Sequence, residues 1–329
     1  VLGEEEEEVI RAGWILQQNF DEGIFMLPIS IVIPTYNRVS LLMLCLPTYI
    51  SQNCAEIIIV DDASSPPVID LLYEKKIFSL VGDGNIRVVR NDRRCQQPRS
   101  RMIGVEHSSQ PYVFFGEDDA YLSDNHITTL WNYLQAGIAD IVAGPWLTTQ
   151  VIQDMTSAAQ RAPVAFSLND VIDMKDFRIF THRIPAKPIR VPFLHTLALM
   201  SKKVVEQIRF DPCFRGNAFR EETDFYLRAL AAGWRLALVP SPPAFHYKGI
   251  LNIGGGQQGA GGVLSLLWYE YWVVRNNIYF LRKHRDLLYH LFGLKRRPVI
   301  DTFCMLGRRA LGYPGRIKAY ILPQFITRS

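Results

Sequence analysis

The amino-acid sequence predicts an α/β fold: a mostly parallel sheet sandwiched by helices, followed by a helical, basic C-terminal extension. Three observations lead there. From about residue 29, short apolar runs alternate with longer stretches of helical periodicity, the order of parallel strands joined by crossover helices. Polar clusters fall where those apolar runs give out, as they do at the carboxyl ends of parallel strands. The chain also has 329 residues, 48% of them hydrophobic, enough to bury a core of this kind.

Taken in order, the acidic run Glu4–Glu8 precedes "VIRAGWILQQ". Carboxylates favour the positive end of a helix dipole, so residues 1–28 read as a helical N-terminal extension. The alternation follows: "ISIVIP", a helix from about Ser40, "EIIIVDD", a helix from about Pro66, "IRVVR", a helix from Pro98, "YVFFGEDD", a helix from Ser123, and "DIVAGPW". Regularity fades over 145–195, where polar and proline-bearing stretches read as an acceptor-facing insertion. It returns with "LALMS", a helix from Lys202, the helix "REETDFYLRALAAGW" and the strand "RLALVP". "GGGQQGAGG" is too rich in glycine to hold one backbone conformation cheaply and reads as a loop within 251–262. "WYEYWVVRNNIYFLRKH" then opens a helical, aromatic and basic extension over 263–329. Its aromatics at helical spacing fit packing better than recognition.

The bulk composition excludes some classes. No apolar run reaches the ~18 residues of a membrane span, because Pro28 and Ser30 interrupt the first stretch and Glu270 the segment 263–274. A soluble or peripheral protein is expected. Five cysteines without a C-x-x-C pair argue against a disulfide framework and for a reducing cytosol, and the first residues lack a charged-then-apolar leader. Residues 263–329 carry 12 Lys and Arg against 3 acidic residues, leaving 24 against 29 in residues 1–262. Such a tail suits an anionic membrane surface or a phosphate-bearing partner. No nucleic-acid motif accompanies it, and no nucleic-acid partner is expected.

"YVFFGEDDAYL" drives four large apolar residues into three adjacent carboxylates, Glu117, Asp118 and Asp119. Hard oxygen ligands of this kind bind Mg²⁺ or Mn²⁺, and such an ion keeps positions open for phosphate oxygens, so a diphosphate is the natural guest. A solvated acidic turn at a strand end fits the triplet alone equally well.

Four blocks in order change that balance. "SIVIPTYNR", "EIIIVDDASS", "PRSRMIGVEHSSQPYVFFGEDDAYL" and "REETDFYLRALAAGWRLALVPSPPAFHYK" resemble, in order and spacing, the sequence blocks of glycosyltransferase family 2, over roughly residues 29–250. The resemblance implies a GT-A, Rossmann-like domain over 29–250. It further implies an inverting, metal-dependent glycosyltransferase of the hexosyl or deoxyhexosyl kind. The donor would be a nucleoside diphosphate sugar of UDP, dTDP or GDP type, the cofactor Mn²⁺ or Mg²⁺, and the acceptor a hydroxyl of a glycan or lipid-linked glycan in cell-surface polysaccharide or glycoconjugate synthesis. That places the protein in the cytoplasm, with the basic tail suited to peripheral contact at the inner face of the membrane.

Carried over by position, "IPTYNR" resembles the loop under the nucleotide base: Pro34, Thr35 and Tyr36 against the base, Arg38 near the phosphates. Asp61 and Asp62 match the carboxylates facing base and ribose, the favoured reading, with a helix cap before Pro66 as the alternative. Arg101 stands where "A-R-N-x-G" places an arginine for the donor phosphates, with Gly104 in register. The Asn of that pattern is Met102 here, and Arg99 is the substitute candidate. Glu117-Asp118-Asp119 falls on the D-x-D position, with Glu as its first letter. Asp119 is then the metal ligand, Glu117 and Asp118 face the donor, and His246, beyond "RLALVP", matches an imidazole ligand of some relatives, a structural role being the alternative. In "EETD" the resemblance assigns the general base to Glu222, with Glu221 and Asp224 as neighbouring candidates. A helix N-terminus also attracts acids without any catalytic reason.

Two other readings compete. A dinucleotide-dependent oxidoreductase is disfavoured because no G-x-G-x-x-G follows an early strand. A catalytically silent nucleotide-sugar-binding module of the same fold stays open, because Glu222 stands where Asp is commoner.

Overall fold

The computed structural model describes residues 26–74, 86–149, 163–181, 184–247 and 262–310. The helix expected after Glu4–Glu8 and the glycine-rich loop lie outside the described residues, save Gly262. Two compact units emerge, one within Val1–Asp211 and Glu222–Gly255, the other within Pro212–Glu221 and Gly256–Ser329.

The first unit opens with the predicted alternation: β1 (Leu27–Thr35), α1 (Val39–Ile50), β2 (Cys54–Asp61), α2 (Val68–Glu74), β3 (Ile86–Arg90), α3 (Gln97–His107) and β4 (Tyr112–Phe115). It continues through β5 (Ala120–Leu122), α4 (His126–Gln135), β6 (Ile141–Ala143), β7 (Trp146–Thr149), α5 (Leu168–Val171), β8 (Ile172–Asp173), β9 (Arg178–Ile179), β10 (Ile189–Arg190), β11 (Ala198–Ser201), α6 (Lys202–Ile208), α7 (Glu221–Ala231), β12 (Leu236–Leu238) and β13 (Ala244–Tyr247). Eight strands form one sheet in the order β10-β12-β6-β11-β4-β1-β2-β3. Ile29, Ile31, Val32 and Ile33 of β1 are all fully buried, because helices cover both faces of a parallel sheet and its strands become continuous apolar runs. α3 approaches β1 so closely that a Cβ at Gly104 would lie 2.3 Å from Val32 Cγ1, so only glycine permits that packing.

β1, β2, β3 and β4 are mutually parallel, and β12 runs parallel to β6, whereas β11 is antiparallel to both β4 and β6, and β10 to β12. An apolar run such as "LALMS" carries no mark of its direction. The tail of the expected strand "YVFFGEDD" is a turn, and past it β5 joins β13 and β7 in a second, three-stranded sheet.

The second unit holds α8 (Gly262–Lys283), α9 (Arg285–Phe292) and α10 (Pro298–Ala310). Pro212–Glu221 groups with these helices rather than with the preceding strands. Side-chain amides account for this: Asn276 Nδ2 donates to Arg215 O at 2.8 Å, Asn217 Nδ2 to Tyr269 O at 3.1 Å, and Arg220 Nε to Asn277 Oδ1 at 2.9 Å.

Candidate active site

The parallel pairing of β1 with β4, in register Val32 to Phe115, delivers the acidic triplet to the end of β1. Thr35 Oγ1, the last residue of that strand, donates to Asp118 Oδ2 at 2.7 Å. Arg38 Nη1 donates to Asp118 Oδ1 and to Asp119 Oδ2, each at 2.9 Å. Burial works against the Arg38 charge, but Asp118 and Asp119 outweigh it and raise its pKa. Burial in turn raises the Asp118 carboxyl, against the pull of Arg38. The Glu117 backbone is pinned by Tyr49, whose hydroxyl donates to Glu117 O at 2.9 Å and accepts from Glu117 N at 3.0 Å. Tyr49 lies on the otherwise apolar helix α1, where no motif marked it.

His246 reaches the triplet because it lies within β13, paired with Ala120 of β5. Its Nε2 stands 3.2 Å from Asp119 Oδ2. Burial pulls the Asp119 pKa upward, but the hydrogen bond and charge of His246, with Arg38, prevail and hold it below the usual carboxylate range. The Trp146 ring neighbours two imidazoles, its centroid 5.1 Å from that of His195 and 5.1 Å from that of His246. Among the described residues no group of three or more His, Cys, Asp or Glu gathers as a ready metal cage. Asp119 and His246 are the side chains here whose oxygen and imidazole nitrogen could hold a hard divalent ion, and in this structure they bond each other, with Arg38 also on Asp119.

Arg101 is fully buried. Its Nη2 lies 3.3 Å from Glu117 Oε1, 3.1 Å from Thr196 Oγ1 and 3.2 Å from Glu222 Oε1. The guanidinium expected at the donor phosphates is thus engaged with two carboxylates. Burial and the charges of Asp119 and Glu222 push Glu117 up to about 8, against the opposing Arg101 and His246. Thr196 Oγ1 also donates to Glu222 Oε1. Both described contacts of Glu222 fall on Oε1, and its side chain is 29% exposed. Asp224 differs: it is fully buried, and its Oδ2 accepts from Arg228 Nε at 2.9 Å and Nη2 at 2.6 Å. Glu221 is buried too, its amide closing onto Ala218 O.

The remaining candidates are used by the chain itself. Asp61 accepts from Ser64 N at 2.8 Å and from Val68 N, the first residue of α2, at 3.1 Å, and it pairs with Arg90. Asp62 accepts from Cys95 N at 2.6 Å, Gln96 N at 2.8 Å and Asn91 Nδ2 at 2.8 Å. Tyr36 is partly exposed with the Arg94 guanidinium 4.5 Å above its ring, and Pro34 is partly buried in β1. Arg99 is exposed, two residues from Arg101 and so on the other side of α3.

A family model described as Glycosyl transferase family 2 matches residues 30–209. A Bacillus spizizenii protein named poly(ribitol-phosphate) beta-glucosyltransferase is 31% identical over 239 residues, which is 68% of this chain and 36% of that protein. A Macaca fascicularis protein named inactive polypeptide N-acetylgalactosaminyltransferase-like protein 5 is 27% identical over 228 residues, 64% of this chain and 47% of its own. This chain therefore spans less than half the length of either curated relative. The crystal structure of GalNAc-T7 with UDP, GalNAc and Mn²⁺ matches with a TM-score of 0.52 at 16% identity, over 87% of this chain and 60% of that one, which establishes the shared fold.

Proposed function

Because the chain belongs to glycosyltransferase family 2, we propose that it is a metal-assisted, inverting glycosyltransferase. It moves a sugar from a nucleoside diphosphate to a hydroxyl of a glycan or lipid-linked acceptor in glycoconjugate synthesis. One observation carries the reading: the Asp119–His246 pair and the half-open Glu222 are linked through Glu117 and the buried Arg101 at one end of the sheet. The relative solved with UDP and Mn²⁺ supports a uridine donor and a divalent ion.

In this reading Asp119 and His246 would hold a divalent ion, which when bound would supply positive charge for the diphosphate leaving group. Thr35 and Arg38 fix Asp118 and Asp119 for that role, and Tyr49 fixes Glu117 facing the sugar. Glu222 is the base. Its Oε2 takes the proton of the acceptor hydroxyl as that oxygen attacks the anomeric carbon. The bond to the diphosphate breaks with its electron pair on the leaving group, and the anomeric centre inverts. Asp224 is spent on Arg228, so it is less suited to the task.

A second reading, a silent nucleotide-sugar-binding module, is supported by the relative named inactive. Release of UDP from UDP-glucose and UDP-N-acetylgalactosamine in Mn²⁺ separates the two: the wild-type chain should release UDP and Glu222→Gln should not. Binding of either donor without release would sink the enzymatic reading. Among the described residues no helix is long and apolar enough to cross a membrane, and we assign the second unit to peripheral contact with the inner membrane face, where a lipid-linked acceptor would be reached.

A further inference from the structure

We infer that Thr196 is a positioning residue that fixes the Glu222 carboxylate so that Oε2 alone is left to take a proton, an inference that rests on the reading of Glu222 as the base. Thr196 sits in the turn before β11 and is 2% exposed. Its hydroxyl donates to Glu222 Oε1 and accepts from Arg101 Nη2 at 3.1 Å. A threonine hydroxyl has one proton, and a guanidinium is a donor only. The single proton must therefore point at the carboxylate, which sets the direction of the bond. With Oε1 engaged by both Thr196 and Arg101, rotation of the carboxylate would break two contacts at once. Oε2 has no described partner on the protein.

The turn that carries Thr196 is itself held from two sides. Tyr226 lies one helical turn beyond Glu222 on the same face of α7, and its hydroxyl donates to His195 O at 2.8 Å. His195 Nε2 meets Gly144 O at 2.8 Å, just past β6. Glu222 and Tyr226 thus grip adjacent residues, and a carboxylate held in this way meets the positioning that catalytic groups require. The charged and titratable groups facing Glu222 are Arg101 from α3, Glu117 from the end of β4 and Tyr226 from its own helix. Thr196 is the neutral donor among them, and the change to valine removes one hydrogen bond while keeping shape and net charge.

The test follows the Glu222 carboxyl carbon by ¹³C NMR at one fixed pH in the full chain, its signal identified by loss in Glu222→Gln, beside UDP-glucose hydrolysis in Mn²⁺. In Thr196→Val that signal should move, since the hydroxyl that fixes Oε1 is gone. kcat should fall roughly tenfold or more, while KM for UDP-glucose stays within about twofold. Thr196→Ser, which keeps the hydroxyl, should restore both. An unmoved signal in Thr196→Val, or a serine variant as impaired as the valine one, overturns the inference. If the wild-type chain hydrolyses no UDP-glucose, the catalytic reading fails by itself. The NMR signal then still decides: a displaced signal in the valine variant alone upholds the hold of Thr196 on Glu222, and equal signals reject it.

Discussion

Arg101 Nη2 and Glu222 Oε1 lie 3.2 Å apart, the guanidinium fully buried and the carboxylate 29% exposed. The same nitrogen serves Glu117, so one cation neutralises two acids that arrive from different parts of the chain. Removing the buried cation takes the positive partner from both acids, of which Glu222 keeps its bond from Thr196, and breaking a buried pair in this way costs about 3–5 kcal/mol. Arg101→Met should therefore lower unfolding stability in urea by an amount of that order, and not merely weaken nucleotide binding. Stability within about 1 kcal/mol of wild type would return Arg101 to the phosphate role its motif suggested.

Glu222 and Asp224 should separate chemistry from folding. Glu222→Gln keeps shape but accepts no proton, so sugar transfer should fall about 10²–10⁴-fold with donor affinity nearly unchanged by calorimetry. Asp224→Asn weakens the pair of the fully buried Asp224 with the partly exposed Arg228, so its expected effect is lower stability with residual turnover. The reverse pattern, an inactive but stable Asp224→Asn beside an active Glu222→Gln, would move the base two residues on.

These contrasts also mark what the sequence made legible. The strand-end clusters were readable because apolar period and adjacent carboxylates are local signals, and β1, β2 and β4 carry them together. Thr196 was not readable: a lone threonine before an apolar run has no signature, and its role exists only because β11 reverses direction beside β4. Arg101 was found by motif, but its partners Thr196 and Glu222 are distant in the chain. His246 was expected beyond a strand and lies inside β13, a strand too short for alternation to reveal. For Asp61 the sequence favoured base contact over capping, and the capping alternative has a direct counterpart in the bond from Val68 N.

Asp119 should govern metal-dependent donor binding. Its Oδ2 already meets Arg38 and His246, so Asp119→Ala removes the carboxylate that would hold the ion and leaves Arg38 on Asp118 alone. Calorimetry of UDP with Mn²⁺ should then lose its dependence on Mn²⁺, and His246→Ala should weaken it less. Equal UDP affinity of the wild-type chain with Mn²⁺ and with a chelator would reject the metal assignment.

Two buried imidazoles set an acid-side limit on stability. Burial lowers His126 and His195 from 6.5 to about 4, His126 bonding Pro242 O and His195 bonding Gly144 O. Between those values the unfolded chain binds their protons and the folded chain does not, so stability falls as pH drops from about 6.5 toward 4, by roughly 3 kcal/mol for each histidine. Glu117, raised to about 8, acts in the opposite sense above its ordinary value, so the measurement belongs in Glu117→Gln. Unfolding between pH 7 and 4.5 should show the loss, and ¹⁵N NMR should find both rings neutral at pH 5.5. Protonated rings in the folded chain at that pH would contradict the assignment.

Helix α10 presents an uncovered apolar face. Val299, Ile300 and Phe303 are 43%, 48% and 62% exposed, and Cys304, Gly307 and Ala310 continue the same uncovered face. The exposed Lys295 and Arg297 lie just before it. Not every basic residue of the tail is available: Arg309 is buried and donates to Glu270 at 2.7 Å, and Arg296 lies 4.0 Å from Asp301. An apolar stripe beside cations suits the interface of an anionic bilayer, where the apolar groups enter the headgroup boundary and each basic residue contributes about 1 kcal/mol. The full chain should sediment with phosphatidylglycerol vesicles at low salt, less at high salt, and poorly with phosphatidylcholine alone. Phe303→Asp should weaken binding at every salt concentration, whereas Lys295→Glu with Arg297→Glu should weaken it mainly at low salt, because only the charge attraction is screened. Absence of sedimentation at low salt would leave α10 without a role at the membrane.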